Sequence, residues 1–132
     1  MAPTLPCPCG RTRAAAGTSA YADCCGALHD GRRAAADAED LMRSRYSAYV
    51  LDRRDHLLAT WHPNTRPAEL PPPEPGLRWL GLDVRRHVPI DADHATVEFV
   101  ARSKLGGRAQ RLHAVSRFVR EGGRWYYVDD DV

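Results

Sequence analysis

The sequence lacks the features of a membrane protein and those of a typical nucleic-acid-binding protein. Its 132 residues contain no apolar run approaching the roughly 20 residues that a membrane-spanning helix needs. Basic residues number 19 and acidic residues 17, so the formal net charge is only +2. Because a basic excess marks most DNA-binding surfaces, we expect neither membrane insertion nor specific DNA binding.

Cysteine is absent after residue 25, and the four cysteines form two short motifs, CPCG at 7–10 and CCG at 24–26. Four thiolates brought together from two turns are the ligand set of a tetrahedral zinc ion. Glycine follows each pair, at Gly10 and Gly26, where we expect turns that need a positive φ angle. The sequence therefore predicts a structural Zn²⁺ site with four ligands: Cys7, Cys9, Cys24 and Cys25.

Two other roles for these thiols stay open. A disulfide between the adjacent Cys24 and Cys25 would be strained, although two bridges between the motifs remain possible by count. Residues 1–6 have neither the charged start nor the apolar run of a secretory signal, so we expect a cytoplasmic protein with reduced thiols. A redox or metal-sensing role would require exposed thiolates with a low pKa.

The rest of the chain predicts an α+β domain. Asp37 can cap a helix in which Leu41, Met42, Arg45, Tyr46 and Tyr49 recur at helical spacing. A second short helix is predicted over residues 54–61, followed by an extended loop over 66–76 with five prolines.

After this loop the apolar period changes to two, which predicts antiparallel strands. One strand is expected to place Leu80, Leu82 and Val84 on one face, and a second to alternate from Ala95 to Ala101. The last two strands, 112–120 and 124–129, are separated by a Gly-Gly pair at 122–123 that predicts a hairpin turn.

Several motifs resemble the YchJ family of bacterial proteins, whose N-terminal zinc motif is of the SEC-C type. These are CPCG, YADCCGALHDG at 21–31, LMRSRYSAY at 41–49, TWHPNTRP at 60–67, VEFVA at 97–101, SRFVR at 116–120 and RWYYVD at 124–129. They cover nearly the whole chain in the family's order. The segment between the two cysteine pairs, residues 11–20, is longer than in the family's usual pattern.

The resemblance implies a SEC-C-like zinc motif over residues 1–32 and a nuclear-transport-factor-2-like domain over residues 33–132. Such a domain is a curved antiparallel sheet wrapped around helices that leaves a conical pocket. We name six candidate pocket residues: Trp61, His62, Glu98, His113, Arg117 and Trp125. The alternative for Glu98 and Arg117 is an ordinary ion pair between strands on a solvent-exposed face.

Three functions are compatible with the sequence, and no catalytic residue is assigned. The first is a non-catalytic binding or adaptor protein whose zinc motif contacts a protein or ribonucleoprotein partner. The SEC-C motif resembles the zinc tail of the preprotein translocase motor, which implies such a contact. The second is a small-molecule binder, hydrolase or isomerase that uses the conical pocket, and the third is a thiol redox or metal sensor. The fold also makes a homodimer possible.

Overall fold

The computed structural model describes residues 5–13 and 17–131, and it confirms the α+β class. The longer segment between the cysteine pairs is therefore described at its two ends only. Within these described residues the elements in chain order are two short strands, a 3₁₀ turn (Tyr21–Asp23), three helices and four long strands. The bounds are β1 (Thr12–Arg13), β2 (Gly17–Thr18), α1 (Cys25–His29), α2 (Ala38–Val50), α3 (Arg54–Ala59), β3 (Arg78–Pro89), β4 (His94–Leu105), β5 (Arg108–Glu121) and β6 (Arg124–Asp131).

The four long strands form one antiparallel sheet in the order β3-β4-β5-β6. Tight turns connect the neighbours, and the predicted turn at Gly122 and Gly123 is confirmed, with φ angles of 57° and 78°. In the central pair Phe99 lies opposite Ala114, and Val97 lies opposite Ser116. These side chains are buried on the face that carries the core.

Strand β3 does not follow the predicted alternation at its start. Its register against β4 shifts between Trp79 and Gly81, and an extra residue in one strand moves the following side chains to the other face. Leu82 and Val84 pack against the core as expected, and Trp79 joins them. Leu80 is exposed, so its predicted place on the same face as Leu82 is wrong.

Helix α2 lies on the sheet and begins as the sequence predicts. The Asp37 side chain accepts a hydrogen bond from the Asp40 amide at 2.8 Å, which caps the first turn. Leu41, Met42 and Tyr46 are buried in the core. Only Tyr49, near the C-terminal end, has a substantial exposed fraction, 42%.

Helix α3 ends at Ala59, two residues earlier than predicted, because the next residues pair with β6. The Tyr127 amide donates to the Thr60 carbonyl at 2.8 Å, and the His62 amide donates to the Tyr127 carbonyl at 2.7 Å. This segment therefore covers the outer edge of β6. Residues 66–76 form the extended loop predicted from their prolines. No helix in the described part of the chain is long and apolar enough to cross a membrane.

Candidate metal centre

The first cysteine pair lies in a turn between two extended segments. The Cys7 amide donates to the Ser19 carbonyl at 2.8 Å, and the Gly10 amide donates to the Cys7 carbonyl at 3.1 Å. Gly10 adopts a φ angle of 74°, as predicted, a conformation that costs other residues energy. The turn therefore presents the side chains of Cys7 and Cys9 inward, where both are buried.

The second cysteine pair lies where a 3₁₀ turn meets α1. Cys24 follows that turn and donates its amide to the Tyr21 carbonyl at 3.1 Å, and Cys25 is the first residue of α1. Gly26 does not need a positive φ angle, which corrects the prediction for this glycine. It is instead required by close packing, because a Cβ atom there would lie 2.7 Å from the Tyr21 carbonyl oxygen.

The four sulfurs form a compact, buried cluster that fits a tetrahedral metal ion. All four Sγ atoms lie within 4.8 Å of one another, and the Cys9 and Cys24 sulfurs are 3.7 Å apart. Zinc–sulfur bonds of about 2.3 Å in a tetrahedron place the sulfurs about 3.8 Å apart. The cysteines form no disulfide, and 3.7 Å is far beyond an S–S bond of about 2.05 Å.

The protonation of the cluster is uneven because the thiols share hydrogen bonds. Burial, followed by the nearby Cys9, raises the pKa of Cys24 to about 12. Hydrogen bonding to Cys7 raises the pKa of Cys25, whereas hydrogen bonds from Cys25 and Cys9 lower the pKa of Cys7. Without an ion the cluster therefore retains protons on buried sulfurs. Because metal ligands must be thiolates, binding of an ion releases these protons.

The cysteine cluster is joined to α2 by direct contacts. We call residues 5–13 and 17–32 the knuckle. The Cys7 sulfur lies 3.6 Å from the Ser47 hydroxyl, and Arg43 donates to the Cys9 carbonyl at 2.9 Å. The four cysteines belong to one buried core with Leu41, Met42 and the inner residues of the sheet. The knuckle therefore packs on the domain as part of a common core.

A buried carboxylate on α2 also holds the knuckle. Asp40 is only 4% exposed, and it accepts hydrogen bonds from Arg33 at 2.7 Å, from Arg11 at 3.2 Å and from the Ala36 amide at 2.9 Å. Hydrogen bonding to Asp40 in turn raises the pKa of Arg33. One carboxylate thus connects Arg11 of the knuckle, and Arg33 and Ala36 of the segment that follows it, to the first turn of α2.

His29 is a further link between the knuckle and α2, and it does not complete the ligand set. Its Nε2 atom lies 2.8 Å from the Ser44 carbonyl oxygen, which can only accept, so Nε2 carries the proton. Its Nδ1 atom then accepts from the Tyr21 hydroxyl at 2.7 Å. Both ring nitrogens are engaged, and burial lowers the pKa of His29, which favours the neutral ring.

The six candidate pocket residues do not converge. Glu98, His113 and Arg117 lie on the sheet face opposite the core, because they alternate with the buried residues of β4 and β5. Glu98 pairs with His113 at 2.6 Å, and Arg117 pairs with Asp129 at 2.6 Å. The alternative of ion pairs between strands therefore describes this face, although Glu98 and Arg117 have different partners from those expected.

The other three candidates lie at separate places around β6. Trp61 packs edge-on against Tyr127, with 5.0 Å between ring centroids. His62 hydrogen bonds with Glu121 at 2.7 Å. Trp125 lines a cavity of about 290 Å³ that also contacts His29 and His56.

Comparisons with known proteins agree with this architecture. Residues 37–130 match the model of the middle nuclear-transport-factor-2-like (NTF2-like) domain of YchJ. The chain belongs to the YchJ family. The match begins at Asp37, the N-cap of α2, and ends one residue before the end of β6. The four-stranded antiparallel sheet with its helices is accordingly an NTF2-like domain.

Relatives in other bacteria match nearly the whole chain. A UPF0225 protein from Methylibium petroleiphilum is 62% identical over 128 residues, which are 97% of this chain and 89% of that protein. A UPF0225 protein from Bordetella pertussis is 57% identical over 96% of this chain and 92% of its own length. These relatives are thus similar to this chain through the knuckle as well as the domain.

Among solved structures, a SEC-C motif-containing protein from Rhodopseudomonas palustris has a TM-score of 0.80 and 32% identity. That similarity covers 97% of this chain and 98% of the other. A SEC-C motif-containing protein from Psychrobacter arcticus has a TM-score of 0.77 and 31% identity, over 94% and 80% of the two chains. The four-cysteine cluster is therefore set in an architecture found in experimental structures of SEC-C proteins.

Proposed function

We propose that this protein is a non-catalytic, zinc-stabilised binding protein of the cytoplasm, whose knuckle contacts a protein or ribonucleoprotein partner. The main observation in support of a metal site is the spacing of the four buried sulfurs, which all lie within 4.8 Å of one another. Zinc prefers thiolate sulfur in tetrahedral sites, and such Cys₄ sites are structural.

The donor set supports a structural role over a catalytic one. Catalytic zinc sites typically have three protein ligands and leave the fourth position to water or substrate, whereas four thiolates fill the tetrahedron. The burial of all four cysteines also disfavours the redox alternative, since redox-sensing thiolates are exposed. The four reduced thiols suit a cytoplasmic location, where cysteine clusters serve metal binding rather than disulfides.

The outward side of the knuckle supports the proposed partner contact. Leu5, at the start of the knuckle, is 66% exposed beside the exposed Pro6, and Arg32, at its end, is exposed and pairs with Asp30 at 3.3 Å. Exposed aliphatic and charged side chains on the knuckle offer apolar contact and charge pairing to a partner surface. The resemblance of the SEC-C motif to the zinc tail of the translocase motor supports the same use.

Native mass spectrometry tests the metal. Protein purified under reducing conditions without added metal should carry one zinc per chain, and Cys9→Ser should carry none. Thr12→Ser, an exposed change in the same knuckle that keeps all four thiols, serves as the control. A metal-free chain lacking two or four protons would indicate disulfides and would overturn the proposal.

A photo-crosslinking residue at position 5 tests the partner in bacterial cells. The same residue at Ile90, which is 63% exposed beyond the end of β3, is the matched control. We expect an adduct of defined mass from position 5 only, which disappears in the Cys9→Ser background. Sensitivity of that adduct to ribonuclease would identify a ribonucleoprotein. Equal adducts from both positions, or none from position 5, would contradict partner binding by the knuckle.

A further inference from the structure

Arg45 of α2 is a buried cation without a carboxylate partner in the described part of the chain. It is only 5% exposed, and no acidic side chain there lies within salt-bridge distance of it. Its Nη1 atom donates to the Leu57 carbonyl and to the Thr60 hydroxyl, both at 2.8 Å. Within the same described residues, no protein oxygen makes a close hydrogen bond to Nε or Nη2, although hydrogen bonding to the Tyr49 hydroxyl offsets part of the effect of burial, which lowers the pKa of Arg45.

Aromatic rings compensate only part of the cost of burying this charge. The guanidinium carbon lies 4.2 Å from the centre of the Tyr127 ring and 5.0 Å from that of Trp61. Cation–π contacts stabilise a cation by less than the cost of burying an unpaired charge. Burial lowers the pKa of Arg45 to about 10, so the side chain is still a cation at neutral pH.

Arg45 lines a cavity of about 290 Å³ between α2 and the concave face of the sheet. Most of the lining is apolar or aromatic, and the buried part of the wall includes Met42, Tyr46, Phe99, Ala101 and Phe118. Tyr49, Leu112 and Asp130, which are exposed, lie at its mouth. A cation at the buried end of an apolar cavity is the arrangement that orients an amphipathic anion.

We propose that this cavity binds a small organic monocarboxylate, with its carboxylate on Arg45 and its apolar body against the buried wall. The Nε and Nη2 atoms of a guanidinium point in parallel and suit the two oxygens of a carboxylate. The volume is at the lower end of the range for ligand pockets, which limits the ligand to about one ring. This site is distinct from the knuckle and does not depend on its proposed partner.

Asp130 adds a second element of selectivity. Its carboxylate accepts a hydrogen bond from the Ser116 hydroxyl at 2.6 Å, which fixes it at the mouth of the cavity, and its negative charge opposes the effect of burial, which lowers the pKa of Arg45. A ligand with a second anionic group at its outer end would meet this charge and be repelled. The site therefore favours monoanions over dicarboxylates.

Binding of three acids to the zinc-loaded full chain tests the proposal, with benzoate, phenylacetate and 3-phenylpropanoate as probes. The matching neutral amides are the chemical controls. Calorimetry gives the affinity, and NMR shifts of the Ala101 methyl and the Trp79 indole give the location. We expect at least one acid to bind at about millimolar Kd or tighter, and at least about tenfold more tightly than its amide.

Two pairs of variants test the charge of Arg45 and the volume of the cavity separately. Arg45→Gln should remove the preference for acid over amide, while Arg117→Gln, an arginine of the outer face, should retain it. Ala101→Leu keeps the charge but fills the cavity, and it should weaken both probes. Its control is Ala109→Leu, at an exposed position of β5. Absence of cavity shifts with all three acids, or equal binding of acids and amides, would overturn the proposal, as would unchanged binding in folded Ala101→Leu.

Discussion

The sulfur of Cys7 lies 3.6 Å from the hydroxyl of Ser47, in the middle of α2. Both residues are buried, and forty positions of the chain separate them. This contact places the four cysteines in one core with the NTF2-like domain, although the resemblance divides the chain into a zinc motif and a domain. Removal of the metal should therefore destabilise α2 as well as the knuckle.

Cys9→Ser should abolish zinc binding and also loosen α2. Zinc binding to small Cys-rich modules is worth about 10–16 kcal/mol, and part of it stabilises whatever packs on the site. We expect a lower melting temperature and faster amide exchange around Ser44 and Ser47, while strands β4 and β5 keep their protection. Hydrogen exchange by mass spectrometry measures this. Exchange unchanged in α2 would show that the knuckle is energetically separate.

Gly26→Ala should destabilise the knuckle because of the Tyr21 carbonyl, which would lie 2.7 Å from the new Cβ atom. Overpacking of this kind costs about 1–3 kcal/mol, and the turn that presents Cys24 must open to relieve it. Zinc affinity, measured by chelator competition, should fall with the melting temperature. Gly81→Ala is the control, since no atom lies within 4 Å of a Cβ there. Similar losses in both variants would contradict the packing argument.

Asp40→Asn should weaken the attachment of the knuckle to α2. The buried carboxylate accepts from two arginines and one amide, and leaving such donors poorly satisfied costs about 1–3 kcal/mol. Glu39→Gln, a more exposed acid in the same helical turn, should cost less than about 1 kcal/mol. Chemical denaturation of the zinc-loaded protein measures both, and equal costs would contradict the importance of Asp40.

His56→Gln should flatten the fall in stability on acidification. Burial lowers the pKa of His56 to about 3, from an ordinary value of 6.5. The unfolded chain therefore binds a proton that the folded chain does not, so stability is full above pH 6.5 and falls as the pH decreases towards 3. The slope from one such group reaches about 1.4 kcal/mol per pH unit.

Urea unfolding of the zinc-loaded protein between pH 7.5 and 5 measures that slope. Leu57→Val, a buried neighbour in α3, should lower stability without changing the slope. If His56→Gln retained the full slope of the unmodified chain, His56 would not be the group responsible.

Glu98→Gln and His113→Gln should have little effect. The two side chains pair on the outer face and are 30% and 49% exposed. Exposed pairs of this kind contribute less than about 1 kcal/mol, and the pair is on the opposite face from the Arg45 cavity. Both variants should bind the carboxylate probes as the unmodified chain does, and a large loss of affinity in either would require a different site.

The features that the sequence predicted correctly are local ones. The Asp37 cap, the Gly-Gly turn, the proline loop and the grouping of the cysteines each depend on a few neighbouring residues. The resemblance to the YchJ family supplied the fold, which α2 and the four strands then confirmed.

The features that the sequence did not predict depend on register and tertiary contact. A one-residue shift in β3 exposes Leu80, and alternation along β4 and β5 places Glu98 and Arg117 away from the cavity. Arg45 lies on the face of α2 that its helical spacing predicts to pack on the sheet, but nothing in the neighbouring sequence shows that it lacks a carboxylate partner. The one sequence signal for a buried cation is the segment LMRSRY of α2, in which two arginines lie between residues predicted to be in the core.

Helix α2 contacts both candidate sites. One side of it packs against the knuckle through Asp40, Ser44 and Ser47. Another side lines the cavity through Met42, Arg45 and Tyr46. If occupancy of one site shifts α2 in a way that the other site senses, thermodynamic linkage makes the resulting coupling reciprocal. The factor by which bound zinc changes the affinity of the cavity for its ligand would equal the factor by which that ligand changes the affinity for zinc. With coupling that favours joint occupancy, a ligand in the cavity would leave a larger fraction of the protein loaded with zinc when zinc is scarce.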